Sequence, residues 1–448
     1  MNGKGALGWR ITRNGDYSID LPPLSDSEEA LVLAVEERLR AAAREKAAEP
    51  ANADKEIALH VSSYAAQEGI ALDSAQKGYL AKYAKMHAYG FAFLDELVGN
   101  DSIEEISVVG IGKPAYVFMR KGGWLSVNAE FTDEKMLMDV INKMASCIGR
   151  RITLQHPRLD AMLPDGSRLH ASLRPVSQGE ITIRKFRQAP FSPREIVDSG
   201  AMDAKAMAFL SMLMQTDSSV LVAGNTASGK TTTLNALFSF VPAGERILIT
   251  EETPEINVPH AHQARLVANR DMGISLKDLV YDSLRMRPDR MIVGEVRNRE
   301  EVEALFDVLL GGQARGAYAT FHAQGAEEAL LRLRKFGVEE MDLGSMDAII
   351  VQRRMLAYDP RKKTAVEKRR VVEIAEVDRG MARGIFTSSG GKLAYRAGSA
   401  LEKKIAGDFG LGKKEFAAIL SGREKWLAKA PSGFSEFFGA AQAMLYKA

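Results

Sequence analysis

Leu31, Val35 and Leu39 recur at four-residue spacing behind Ser25-Asp26-Ser27-Glu28. That pattern predicts an amphipathic helix over residues 26–48, opened by a capping box and stopped by Pro50. Two further helical stretches are expected, from Asp54 to Glu68 and from Asp73 to Tyr89. From Phe91 the apolar period shortens. Ile103 to Ile111, Ala115 to Met119 and Trp124 to Val127 read as short strands, with Lys121-Gly122-Gly123 as a turn. Residues 133–148 return to the helical period. Leu163-Pro164-Asp165-Gly166-Ser167-Arg168 is a turn before a strand pair, Leu169 to Val176 and Ile181 to Phe186.

After Met202 strand and helix signals alternate. Ser219 to Ala223, Arg246 to Thr250, Arg290 to Val293 and Gly316 to Phe321 are short apolar runs. Apolarity at consecutive positions predicts strands covered on both faces, as in a parallel sheet flanked by helices. The tail from Ala400 to Ala448 reads as mainly helical. Its Ile419, Trp426, Leu427, Phe434, Phe437 and Phe438 need a surface to pack on. The expected organisation is a helical accessory region (1–89), an α/β domain (90–186), a linker (187–200, with Pro190 and Pro193), an α/β core (201–380) and a mainly helical end (381–448).

Composition narrows the class. The 448 residues are 46% hydrophobic and 26% charged, as in an ordinary globular chain. Sixty basic against 58 acidic residues leave a net charge of +2, too little for a bulk field that gathers nucleic acid or anionic lipid. A local cluster, Arg361-Lys362-Lys363 with Lys368-Arg369-Arg370, reads as a solvated loop. The single cysteine, Cys147, permits no internal disulfide and fits a reducing compartment. Nothing approaches the ~20 apolar residues of a membrane span, and Met1 to Asp20 carries no apolar leader core. Any membrane role is therefore expected to be peripheral.

The chemistry gathers in the alternating region. Gly224-Asn225-Thr226-Ala227-Ser228-Gly229-Lys230-Thr231 fits the phosphate-loop fingerprint, lying between an apolar strand and a helix that begins near Thr232. Its amides and the helix N-terminus suit a phosphate chain, Lys230 supplies a point charge, and the Thr231 hydroxyl suits Mg²⁺. Hydrolysis also needs an acid to handle water. Glu251 and Glu252 follow one apolar strand, and Glu295 stands at the end of another; strand ends on one edge of a parallel sheet converge on the ligand. His322, at the end of Ala319-Thr320-Phe321-His322-Ala323, is placed to sense the terminal phosphate. His260 and His262 read as loop residues.

Together these motifs resemble the type II/IV secretion and type IV pilus ATPase superfamily, most closely its archaeal-type branch of archaellum-motor and pilus-assembly ATPases. The stretches that carry the resemblance are the loop 224–231, Ile249 to Glu255, Leu284 to Arg297, Ala319 to Ala323, Leu163 to Arg168, Ile181 to Phe186, Val351 to Arg354 and Val371 to Val377. They span roughly residues 90–380. The resemblance implies a RecA-like core, a smaller PAS-like N-terminal α/β domain, a ring homo-hexamer, and ATP with Mg²⁺ between the two domains. It further implies that Glu295 activates water, that Glu251 and Glu252 support metal and water, that Thr231 and Glu252 hold Mg²⁺, and that His322 is the histidine-box residue. Arg168, Arg184 and Arg297 lie in matching segments as candidates for the charge clamp.

The implied function is a cytoplasmic ATPase at the inner face of the membrane. It would drive a pilus-like, secretion or archaellum system through an integral-membrane platform protein, with no nucleic-acid partner. Two alternatives stay open: a nucleic-acid-translocating ring and a low-turnover nucleotide-dependent scaffold. Three features depart from the family pattern. Glu252 stands where Asp is usual. Gly311-Gly312-Gln313-Ala314-Arg315 lacks a Gly-His opening, so a polar relay is lost or replaced by Arg315. The cysteine-rich zinc module is absent.

Overall fold

The computed structural model describes residues 9–12, 15–19, 24–45, 53–120, 122–187, 189–269, 272–359 and 363–445. The expected helix stop at Pro50, Lys121 of the turn, and Arg361 and Lys362 of the basic cluster lie outside the described residues. The chain forms two compact units, Met1–Gln188 and Ala189–Ala448.

The first unit begins with β1 (Trp9–Ile11) and β2 (Tyr17–Ile19), then α1 (Asp26–Glu45), α2 (Ala53–Gln67) and α3 (Ser74–Ala88). The capping box of α1 is formed: Ser25 N donates to Glu28 Oε2 at 2.8 Å and Glu28 N to Ser25 Oγ at 3.4 Å. Leu31, Val35 and Leu39 bury against Ile57, Val61, Leu80 and Ala84, so the three helices share one core. A second core belongs to α4 (Leu94–Val98), β3 (Ile103–Val108), β4 (Pro114–Met119), β5 (Trp124–Glu130), α5 (Glu134–Ser146), β6 (Arg158–Met162), β7 (Arg168–Ser172) and β8 (Glu180–Arg184). The sheet order is β1-β2-β5-β4-β3-β8-β7-β6. The region expected as a helical accessory region therefore also gives two strands, ahead of its first helix, to this sheet. Buried Tyr17 and Ile19 belong to its core, and the Asn128 side chain exchanges two hydrogen bonds with the Ile19 backbone, at 2.7 and 3.0 Å.

The second unit opens with α6 (Pro193–Asp198), inside the stretch expected to be linker. Ser192 and Glu195 cap it reciprocally and Ile196 is buried, so this segment is part of the unit's core. Then follow α7 (Ala204–Leu213), β9 (Val220–Gly224), α8 (Lys230–Leu237), β10 (Ile247–Glu251), β11 (Gln263–Val267), α9 (Leu276–Ser283), β12 (Arg290–Val296), α10 (Arg299–Gly311), β13 (Gly316–Phe321), α11 (Ala326–Lys335), β14 (Ala348–Asp359) and β15 (Thr364–Asp378). β16 (Met381–Ser389), β17 (Lys392–Tyr395), α12 (Ala400–Asp408), α13 (Lys413–Leu427) and α14 (Phe434–Leu445) complete it.

Nine strands form one sheet, ordered β11-β10-β12-β13-β9-β14-β15-β16-β17, parallel from β11 to β14 and antiparallel beyond. Every residue of β9, β10 and β13 is buried. The strand period of two splits them between two cores: Val220 and Val222 face α7, α8 and the tail helices, while Leu221 and Ala223 face the side of α9, α10 and α11. Leu427 and Phe437 of the tail are buried in the first of these cores. The region after residue 380 is not all helix, because β16 and β17 extend the sheet and bury Ile385 and Phe386. Among the described residues no helix is long and apolar enough to cross a membrane.

Candidate active site at the carboxyl edge of the second sheet

The carboxyl ends of β9, β10, β12 and β13 bring the expected residues of this unit together. The loop after β9 turns through Ala227 (φ 58°) and Gly229 (φ 97°), so two left-handed residues curl the backbone ahead of α8. Such a turn points successive amides inward, and the first turn of α8 adds its unpaired N–H groups. Lys230 is 8% exposed; its ammonium lies 3.4 Å from Gly224 O and 3.7 Å from Glu295 Oε1. The Thr231 hydroxyl donates to Glu255 Oε2 at 3.3 Å. Ser228 Oγ is buried without a hydrogen-bond partner among the described residues.

Glu295 reaches the loop because β12 is irregular. The β12–β13 register shifts between Val293 and Glu295, and such a bulge re-aims the side chains beyond it. Gly294 stands at the shift. A Cβ there would lie 3.0 Å from Glu251 Cγ, so glycine lets the two acidic strands close up. Glu295 Oε1 lies 2.7 Å from His322 Nε2, and Oε2 lies 2.7 Å from Arg297 Nε and 2.5 Å from Arg297 Nη2. Burial alone would push the Glu295 carboxyl up. The hydrogen bond and charge of Arg297, with Lys230 and His322, outweigh burial and hold it below the usual range. Burial and the Lys230 charge push the His322 imidazole down, against the pull of Glu295. A neutral imidazole facing an ionised carboxylate carries its proton on Nε2.

Glu251 and Glu252 are adjacent but differ. Glu251 is 1% exposed; its Oε1 accepts from Glu255 N and Ile256 N, both at 2.8 Å, and Oε2 lies 3.3 Å from Arg265 Nε without a hydrogen bond. Burial pushes its carboxyl up to about 7, beyond what those amides and Arg265 offset. Glu252 turns to Arg297 Nη1, at 2.9 Å. Arg297 thus bridges Glu252 and Glu295.

Other expected residues fall elsewhere. Arg168 and Arg184 belong to the first unit, where they are direct cross-strand partners on β7 and β8. Arg315 does not take over a histidine relay at this edge. It precedes β13, at the amino edge, and pairs with Asp217 and Glu245 at 2.7 and 2.8 Å. His260 is a core residue, 1% exposed, with Nε2 3.2 Å from Val241 O and its ring against Phe238 and Phe438. Three residues beside the loop were not singled out from sequence: Glu255 on Thr231, Arg265 on Glu251, and Gln352, whose Oε1 accepts from Thr233 Oγ1 at 2.6 Å. For Glu255 the available signal was its place in the acidic box. For Arg265 there was none, because β11 meets β10 only in the folded sheet.

An α/β unit with a parallel sheet, a left-handed loop at its carboxyl edge and opposed Lys, Glu, His and Arg side chains is the class this fold and site define. The family described as type II/IV secretion system protein matches residues 88–393, and the chain belongs to it. An uncharacterized protein of Methanocaldococcus jannaschii is 34% identical over 252 residues, 53% of this chain and 35% of that protein. The chain thus spans about a third of that relative's length. A putative conjugal transfer protein of Mycobacterium tuberculosis is 31% identical over 282 residues, 60% of this chain and 78% of its own length. Among solved structures, the Legionella pneumophila ATPase DotB is 17% identical with a TM-score of 0.46, covering 79% of this chain and 91% of that one.

Proposed function

We propose that this chain is a Mg²⁺-dependent ATPase whose turnover drives a pilus-like, secretion or archaellum system, working as a ring homo-hexamer on an integral-membrane platform protein from the cytoplasmic side. One observation carries the catalytic part: Lys230, Glu295, His322 and Arg297 converge beside an amide-lined loop that holds a Ser228 hydroxyl buried without a partner among the described residues. A nucleoside triphosphate fits this set. Gly224 to Thr232 cradle the phosphates, and Lys230 exchanges its Glu295 contact for the terminal phosphates. A cation fits as well, since the Thr231 hydroxyl and the Glu255 carboxylate already face each other, and Glu251 Oε2, ion-paired with Arg265, has no hydrogen bond among the described residues. A bound Mg²⁺ would neutralise phosphate charge. Glu252, expected from sequence as a metal-side acid, is held by Arg297 and serves by orienting it.

In the reaction, Glu295 is the ionised group that accepts the proton of the attacking water. His322 and Arg297 hold its two oxygens, and Arg297 with Lys230 balances charge that builds on the leaving phosphate. Arg168 and Arg184 remain candidates for the further clamp; Arg184→Ala and Arg168→Ala, assayed for kcat, test each. Titration calorimetry with Mg²⁺ and a non-hydrolysable ATP analogue tests the reading. Micromolar binding is expected, and no heat from folded protein overturns it. Single-stranded DNA is expected to leave turnover unchanged; strong, salt-sensitive stimulation would replace the filament reading with a nucleic-acid motor.

A further inference from the structure

The usual reason for glycine at both ends of a phosphate loop is close approach of the ligand. Here residue 352 already crowds both glycines, one with its backbone and one with its side chain. Gln352, 3% exposed at the end of the parallel part of β14, pairs in register with Gly224 of β9. A Cβ on Gly224 would lie 2.1 Å from the backbone carbonyl oxygen of Gln352, and a Cβ on Gly229, itself at φ +97°, would lie 2.9 Å from the side-chain Nε2 of Gln352. The same side chain takes the Thr233 hydroxyl on Oε1 at 2.6 Å. Two residues on, Arg354 N donates to Asn225 Oδ1 at 2.8 Å and Asn225 Nδ2 donates to Arg354 O at 3.0 Å. One three-residue stretch of β14 therefore touches the start of the loop, its first bend, its last glycine and the first turn of α8.

We propose that Gln352 is a positioning residue for nucleotide binding: the floor that fixes the loop's amides before the phosphates arrive. The role rests on the reading that this loop binds a nucleoside triphosphate. The chemistry explains why an amide stands here. An acceptor is needed for the Thr233 hydroxyl, and an uncharged or donating group is needed under Gly229, where anionic phosphate must come close. A carboxylate of the same shape meets the first demand and opposes the second. The amide also links the loop to the hairpin of β14 and β15, because a shift of β14 moves Gln352 and the Asn225–Arg354 clip together.

The test compares full-length Gln352→Ala, Gln352→Glu and Thr233→Val, and the double variant Gln352→Ala with Thr233→Val. Each is read by KM and kcat for Mg-ATP and by thermal melting. Gln352→Ala is expected to raise KM about tenfold or more with kcat changed less than about threefold, since ground-state organisation is lost and the water-handling groups are not. Gln352→Glu, nearly isosteric, is expected to raise KM further and, because it buries a carboxylate, to melt below the wild-type temperature. Adding Thr233→Val to Gln352→Ala is expected to cost nothing more, because the two side chains act as one contact. An unchanged KM in both Gln352 variants overturns the proposal. So does a fully additive double variant, or a Gln352→Glu chain that binds like wild type. A wild-type chain that binds no nucleotide overturns the functional reading itself, a result visible before any variant is made.

Discussion

β12 carries a charged residue near each end, and the two ends of this strand behave differently. Arg290, 0% exposed at the amino edge, has a partner for each guanidinium nitrogen: Glu245 at 2.5 and 3.2 Å from Nε and Nη2, and Thr216 O and Tyr318 Oη at 2.7 and 2.9 Å from Nη1. At the carboxyl edge, Glu295 is partly buried and Arg297 exposed, Lys230 is 3.7 Å from Glu295 Oε1, and Ser228 Oγ and Glu251 Oε2 are buried without hydrogen bonds among the described residues. Buried polar groups are normally satisfied; Arg246 Nε near the amino edge is an exception as much as Ser228 Oγ and Glu251 Oε2 are, so the contrast rests on the Arg290 network being closed while the Glu295–Arg297–Lys230 group opens on the loop. The same residue types thus build a strut at one end of the strand and a site at the other.

That contrast can be broken by substitution. Glu245→Ala leaves the Arg290 charge buried and without its carboxylate; a loss of about 3–5 kcal/mol in denaturant-unfolding stability is expected. A loss below 1 kcal/mol would show that the amino edge is not a strut. Glu295→Gln should do the reverse, lowering kcat by about 10²-fold or more with melting nearly unchanged. Equal hydrolysis by the variant would remove Glu295 from its role.

The pH dependence sharpens the comparison next. Because the folded Glu251 carboxyl sits at about 7, above the ordinary carboxylate value, the folded state holds a proton that the unfolded state has lost between those limits. Stability from this group is therefore full at low pH, falls as pH rises toward about 7, and is level beyond, by up to about 3 kcal/mol. Glu251→Gln should flatten that slope in urea titrations at pH 5, 6 and 8. An identical slope in the variant would assign the dependence elsewhere. Smallest is Arg315→Met: Arg315 is half exposed and the buried Glu245 keeps its Arg290 partner, so a loss of about 1 kcal/mol or less and unchanged turnover are expected. A clear fall in kcat would restore Arg315 as a substitute for the missing histidine.

Much of the site could be read along the chain. The fingerprint at 224–231 is local, because a loop and its helix form from consecutive residues. The runs at 219–223, 246–250, 290–293 and 316–321 became β9, β10, β12 and β13, because strands covered on both faces are apolar at every position. The capping box at Ser25 formed as its spacing requires. β11 was missed because its burial alternates, with three of its five residues exposed. β16 and β17 were missed for a related reason: an outer antiparallel ribbon shows little continuous apolar run.

The sequence by itself determined the class of loop, the parallel core and the acids at its strand ends, since each rests on neighbours in the chain or on strand periodicity. Only the tertiary structure decided which acids meet which cations. A bulge at Gly294 turns Glu295 toward Lys230 and His322, the β10–β11 pairing brings Arg265 to Glu251, and β14 slides Gln352 beneath two glycines more than a hundred residues earlier. Those pairings depend on sheet order and register, which distant segments settle jointly, so no local spacing records them.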